Sequence, residues 1–263
     1  MTTRPKLDEA EATRDLVRIL DDVVEVQKIL DDMESRQFDV QHRSSLAADD
    51  AKADPYQVSH ALTQQIGVAV DHMHAIHALV RDAGALHNGA PFSLARPALE
   101  ATATAIWMLA PASRSTRVTR RLSLAAKDAR DGDTMASEVG AHAATPLADR
   151  LAKMQRISVA AGGPPTLPPF IITEVVKEAS KVADNRFLPL AAWRSCAGFA
   201  HGRSWAALAF LEKEEFPTHD PEVVRLRLTN TLMKVWWVTK ACHVLLTKAV
   251  ELYKQRRTSQ LDH

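Results

Sequence analysis

The chain has 263 residues, with 33 Lys and Arg against 32 Asp and Glu, a net charge of +1 and 46% apolar residues. That balance excludes a protein that coats nucleic acid nonspecifically, because such binding rests on many phosphate contacts; a small local basic site stays open. Two cysteines, Cys196 and Cys242, lie inside apolar helical patterns and read as core residues, not as a disulfide framework. The start, Met-Thr-Thr-Arg-Pro-Lys, lacks an apolar signal-peptide core. No apolar run reaches the ~18 residues that span a bilayer. The expectation is a cytoplasmic protein with no membrane partner. Only 9 glycines and no long strand-like alternation point to an all-α chain.

A first helix is expected from about Asp8 to Ser35, with Leu16, Ile19, Val23, Val26, Leu30 and Met33 as an a/d seam. It reads as a long bundle helix or as a dimer arm. Residues 36–54 are polar and read as a loop or weak helix. Asp54 as N-cap and Pro55 in the first turn open a second helix, whose seam runs Val58, Leu62, Ile66, Ala69, Met73, Ile76, Val80 and stops near Gly84. Ser93 opens a third, with Pro97 in its first turn. After Glu100 this helix is apolar or small on nearly every face, the mark of a buried helix, and Pro111 ends it.

A fourth helix is expected from about Ser115 to Ala129, broken by Asp131-Gly132-Asp133, and a further one runs from Pro146 to about Ala161. Gly162-Gly163-Pro164-Pro165-Thr166-Leu167-Pro168-Pro169 is the clearest loop. Helical segments follow at about 170–183, at Trp193–His201 and at Ser204–Leu211. Asp220 as N-cap, Pro221 and Glu222 then mark the start of a last helix, with a stripe of Leu228, Leu232, Val235, Thr239, Cys242, Leu246 and Ala249 and a basic end at Lys254, Arg256 and Arg257. Similar seams on both sides of the proline-rich loop read as one helical domain: residues 1–54 as N-terminal helix and loop, 55–257 as the bundle, 258–263 as a disordered tail.

Charges within these apolar helices are the candidate site. Arg194 and His201 are seven positions apart, two helical turns, so both leave one face roughly 10 Å apart along the axis. Arg96 and Glu100 stand at i and i+4 and can meet. Buried charges need further partners, and the economical arrangement brings these four groups together with Ser195 nearby. Such a cluster either locks helix register or presents an Arg-lined pocket to a phosphate or another anion.

Arg194, six residues, then His201 resembles the Arg-x(4–6)-His signature of the HEPN superfamily of helical bundles. The stretch from Pro168-Pro169 to Ser180, the Arg194-Ser195 pair and Ala200-His201-Gly202 is similar to uncharacterised bacterial HEPN-like proteins. So is Arg96-Pro97-Ala98-Leu99-Glu100 followed by Trp107-Met108-Leu109, and the likeness covers roughly residues 90–250. The resemblance implies a HEPN-like bundle of long antiparallel helices, a homodimer that binds RNA or nucleotide. It also implies a metal-independent endoribonuclease of a toxin or phage-defence system, with an antitoxin or other partner protein and no cofactor. His201 would then move the proton of the ribose 2′-hydroxyl or of the leaving oxygen, and Arg194 would hold the scissile phosphate. Arg96, Glu100 and Ser195 would support them. Ser195 departs from the Asn, Asp or His that active members often carry after the Arg.

Two other readings belong to different classes. One is a non-catalytic interaction module with a structural Arg/Glu/His cluster. The other is a metal-binding bundle using Asp71, His74 and His77, where the histidines at i and i+3 share a flank. Arg114, Arg117 and Arg121 form a stripe that reads as a solvated or ion-pairing face, or as a track for an RNA backbone. Of the neighbours Trp236 and Trp237, one is expected in the core and the other at a helix contact.

Overall fold

The structure is a computed structural model and describes residues 8–32 and 35–259. Among these the chain is all-α, as its composition implies: α1 (Glu9–Asp31), α2 (Ser45–Ala53), α3 (Val58–His77), α4 (Ala90–Leu109), α5 (Arg114–Glu138), α6 (Leu147–Ala160), α7 (Ile172–Val182), α8 (Pro189–Ala200), α9 (Ser204–Phe210) and α10 (Leu232–Arg257). A single hairpin, β1 (Glu212–Phe216) and β2 (Arg225–Thr229), is the only sheet among the described residues. No helix among the described residues is long and apolar enough to cross a membrane. The described residues sort into two compact units: those within 1–35, 67–102 and 183–247, and those within 36–66, 103–182 and 248–263.

In the first unit, α1 begins at a capping box: Glu11 N–H donates to Asp8 at 2.7 Å, and Asp8 N–H donates back to Glu11 at 3.3 Å. Leu16, Ile19, Leu20 and Val23 are buried, whereas Val26 and Leu30 are half-buried, and Met33 lies outside the described residues. The inner face of α1 packs within its own chain. Trp236 Nε1 of α10 donates to Asp15 at 2.9 Å, and Lys240 Nζ lies 3.0 Å from the same carboxylate. This is the packing that the bundle-helix reading expects. The two tryptophans divide as expected. Trp236 is buried; Trp237 is half-buried, stacks on Phe210 and donates to Phe187 O.

Several element boundaries differ from expectation. α3 starts at Val58, not Pro55, because Asp50 Oδ1 accepts the Ser59 N–H at 2.9 Å while Asp54 accepts from the Gln57 side chain. α3 itself ends at His77; a π-helical turn, Ala78–Asp82, carries the chain on to Gly84, near the expected stop, where φ is 57°. α4 starts at Ala90, a turn before Ser93, so Pro97 sits inside the helix and withholds a backbone donor there. α5 runs through Gly132, since one glycine costs only about 1 kcal/mol against a packed helix. Residues 45–53 form a true helix, capped by the Ser44 hydroxyl on Ala47 N–H.

The largest correction is at Asp220. It accepts the Glu222 N–H in a local turn at 2.9 Å and caps no helix. Arg225-Leu226-Arg227-Leu228-Thr229 alternates exposed and half-buried and pairs antiparallel with Glu212–Phe216. Leu228 is therefore a strand residue, and α10 starts at Leu232. Its basic end at Lys254, Arg256 and Arg257 is as expected. Of the supposed tail, Ser259 is buried and its N–H donates to Gln41 at 2.8 Å; residues 260–263 lie outside the described residues.

In the second unit α2, α5 and α6 pack together around one ion pair. Arg117 is 2% exposed and Asp49 0%. Arg117 Nε and Nη2 reach the two Asp49 oxygens at 2.6 and 2.8 Å; Nη1 donates to Pro111 O and Ala112 O, and Nη2 to Ser45 Oγ. Arg114 adds a 3.3 Å contact to Asp49, and Arg121 Nε donates to Gln57 O. Of the readings of the arginine stripe, the ion-pairing one describes Arg114 and Arg117, and the middle residue is enclosed instead of lying on a surface.

Two measurements test these packings. Arg117→Ala should cost about 3–5 kcal/mol in urea denaturation, because it strands a buried carboxylate, whereas Arg114→Ala should cost less than about 1 kcal/mol. Burial pushes the Asp15 carboxyl up, but hydrogen bonds from Trp236, Arg18 and Lys240 outweigh it and hold the group at about 2. A depressed pKa stabilises the fold above the unfolded value and loses that contribution as pH falls through the folded one. The stability gap between wild type and Asp15→Ala should therefore close between about pH 5 and pH 2; a gap constant over that range would refute the pairing.

Candidate functional site

α8 begins with Pro189 and ends at a Schellman turn. Arg203 N–H donates to Gly198 O at 2.8 Å, Gly202 N–H to Phe199 O at 3.0 Å, and Gly202 takes φ +61°. This places His201 at the C-cap, outside the regular helix, with its ring exposed. α9 folds back on α8 at Gly198. A Cβ there would lie 2.7 Å from both Ala206 Cβ and Trp205 Cζ2, so only glycine permits the approach. Phe199 anchors the pair: it stacks on Phe92 of α4 at 4.0 Å between centroids and meets Phe210 edge-on.

Three of the expected residues come together. Arg96 Nε donates to Glu100 Oε1 at 2.9 Å, one turn along α4. Arg96 Nη1 lies 2.8 Å from His201 Nε2, a contact spanning 105 positions of sequence. A guanidinium only donates, so Nε2 accepts and the imidazole in this arrangement carries its proton on Nδ1. The same Glu100 oxygen accepts the Trp193 indole N–H at 2.8 Å. The order is Trp193, Glu100, Arg96, His201: a buried indole, a half-buried ion pair and an exposed imidazole.

The other two stand apart. Arg194 is exposed and has no side-chain hydrogen bond or ion pair among the described residues. Ser195 is buried and donates to Ala191 O of its own helix at 2.9 Å, the usual helical back-bond. The expectation that Arg194 and Ser195 join the cluster is therefore corrected: Arg194 faces water and Ser195 faces the core. Trp193 was missed as a site residue. Its position one residue before Arg194 turns it about 100° around the helix, toward the interior, where a buried indole N–H requires an acceptor.

The cysteines are buried and free, as expected. Burial pushes both thiols up, so neither is an activated nucleophile. The histidine flank lacks a metal-ligand set. His74 and His77 stack at 5.9 Å between centroids, but Asp71 is turned to solvent and lies 3.9 Å from His72, which bonds Val68 O. His77 instead faces Asp82 at 3.6 Å. No group of three ligand-type side chains forms among the described residues.

The second unit holds a cavity of about 530 Å³ that the sequence did not reveal, walled by the loop at 162–169 and by Trp107, Arg120, Glu174 and Glu178. Its one cation is committed: Arg120 donates to Trp107 O and Glu178 and stacks over the Trp107 ring at 4.8 Å. Comparison with family models, curated proteins and solved structures finds no match to this chain.

The chain Trp193–Glu100–Arg96 braces His201 from inside, so the stability costs should be graded. Glu100→Ala should lose about 2–3 kcal/mol, the worth of hydrogen bonds to a charged group. Trp193→Phe should lose about 1 kcal/mol, and His201→Ala should stay within about 0.5 kcal/mol of wild type in urea denaturation. A His201→Ala cost equal to that of Glu100→Ala would make the histidine structural.

Proposed function

We propose that this chain is a HEPN-like RNA- or nucleotide-binding protein whose working residues are His201 and Arg194, with Arg96 and Glu100 in support. The observation that carries the reading is the exposed imidazole of His201 with its Nε2 2.8 Å from Arg96 Nη1. A structural histidine would be enclosed. This one stands at a helix end with a cation behind it, in a stretch, residues 187–211, that contains Arg194 and Arg203 and no Asp or Glu.

The geometry suggests how cleavage would run. As it stands, Arg96 caps the one basic lone pair of the imidazole. An RNA phosphate entering beside Arg96 offers it a charge-assisted bond, stronger than its bond to a neutral ring. Arg96 turns to the phosphate and Nε2 is released. His201 then takes the proton of the ribose 2′-hydroxyl, whose oxygen bonds the adjacent phosphorus to form a 2′,3′-cyclic phosphate as the bond to the 5′-oxygen breaks; the leaving oxygen takes a proton from water. Arg194 and Arg96 offset the charge that builds on the phosphoryl oxygens. The chemistry asks for no cofactor. This reading places the protein in the cytoplasm, as a homodimer in a toxin or phage-defence system with a partner protein such as an antitoxin.

The capped Nε2 also favours a second reading, a module that binds RNA or nucleotide without cleaving it. Incubating the purified protein with a broad RNA panel in EDTA, beside His201→Ala, separates the two. Cleavage by wild type that survives EDTA and falls at least a hundredfold in a folded His201→Ala, in line with general acid–base catalysis, is the expected outcome. Binding without cleavage selects the module, and neither binding nor cleavage overturns both.

A further inference from the structure

The indole of Trp205 is 52% exposed, although it sits in a short helix anchored on its inner side by Ala206 and Phe210. Its six-membered ring lies against the backbone of α8: a Cβ at Gly198 would stand 2.7 Å from Cζ2 and 3.1 Å from Cη2. Gly198 is four positions after Arg194 and three before His201, so the ring rests on α8 between those two residues along the helix. Leu208, three positions on, is also exposed and extends the apolar surface of α9. Arg194 and Arg203 are exposed and free of side-chain partners among the described residues.

Single exposed apolar side chains are ordinary on a protein surface; what sets Trp205 apart is its place over Gly198, between Arg194 and His201 on α8. Half-exposed indole surface in a stretch, residues 187–211, that carries Arg194 and Arg203, without side-chain partners among the described residues, and no Asp or Glu, suits a ligand that is planar and apolar at one end and anionic at the other. An unpaired nucleotide has that form: its base stacks on an aromatic side chain while its phosphate meets arginine. Gly198 lets the ring come up against the helix backbone, so it meets a ligand already supported on one side.

We propose that Trp205 is a stacking platform for an unpaired base of single-stranded RNA, with the adjoining phosphate on Arg194 and His201 beside it. This rests on the RNA-binding reading above and names the residue that selects an unpaired strand. A duplex hides its base faces and cannot use the platform.

The test is equilibrium binding of the full chain to a short, labelled single-stranded RNA of mixed sequence at fixed salt, with circular dichroism on every variant. Trp205→Ala is expected to bind about tenfold more weakly, and Trp205→Phe to recover most of the loss. Wild type should bind an RNA of equal length carrying abasic sites about as weakly as Trp205→Ala binds the intact strand; this arm needs no variant. Equal affinity of wild type and folded Trp205→Ala, or of intact and abasic RNA for wild type, overturns the platform and leaves the RNA-binding reading standing. A wild type that binds none of these RNAs overturns both.

Discussion

A charge enclosed among helices survives only if each of its polar atoms finds a partner, because desolvation costs several kcal/mol per ion and a lone partner rarely repays it. Both units of this chain meet that constraint with an arginine and a carboxylate, in opposite styles. Arg117 spends its donors on Asp49, Ser45 and two carbonyls, and the pair is sealed. Arg96 gives Nε to Glu100 and turns Nη1 outward to an exposed imidazole. The first arrangement is complete without a ligand. The second ends on a group that water can reach.

The open end is held precisely because the closed end is apolar. Trp193 is buried and fixes Glu100 through one hydrogen bond; Glu100 fixes Arg96 within its own helix; Arg96 then orients His201. Stacked Phe92 and Phe199 join α4 to α8, so the donor comes from a packed helix and the acceptor from the cap of another. The Schellman turn at Gly202 takes His201 out of the regular helix and sends the chain back into α9, which brings Trp205 over Gly198. Rigid support beneath an exposed polar group is what the proposed proton transfer at His201 would require.

Much of the architecture was legible in residue order. The all-α class, the heptad seams of α1 and α3, the buried character of α4 and the division of labour between Trp236 and Trp237 all follow from periodicity and composition. The failures cluster where two local signals compete. Asp220-Pro221-Glu222 has the form of a helix start, yet the alternation of Arg225 to Thr229 answers that of Glu212 to Phe216 and a hairpin results. Pro97 has the form of a first-turn proline, yet Pro91 lies nearer the actual start of α4.

For the site, sequence alone determined the residue types and their helical spacing: Arg96 with Glu100, and Arg194 with His201. Those are local properties, set by 3.6 residues per turn. Which of them meet was decided by tertiary structure. A residue's direction around a helix fixes a face, but only the neighbouring helices fix whether that face is core or water. Arg117, written as part of an exposed stripe, became the most buried cation of its unit, and Arg194, written as part of a buried cluster, was left in solvent. The desolvation cost explains the difference: Arg117 has a carboxylate, a hydroxyl and two carbonyls within reach, and Arg194 has none among the described residues.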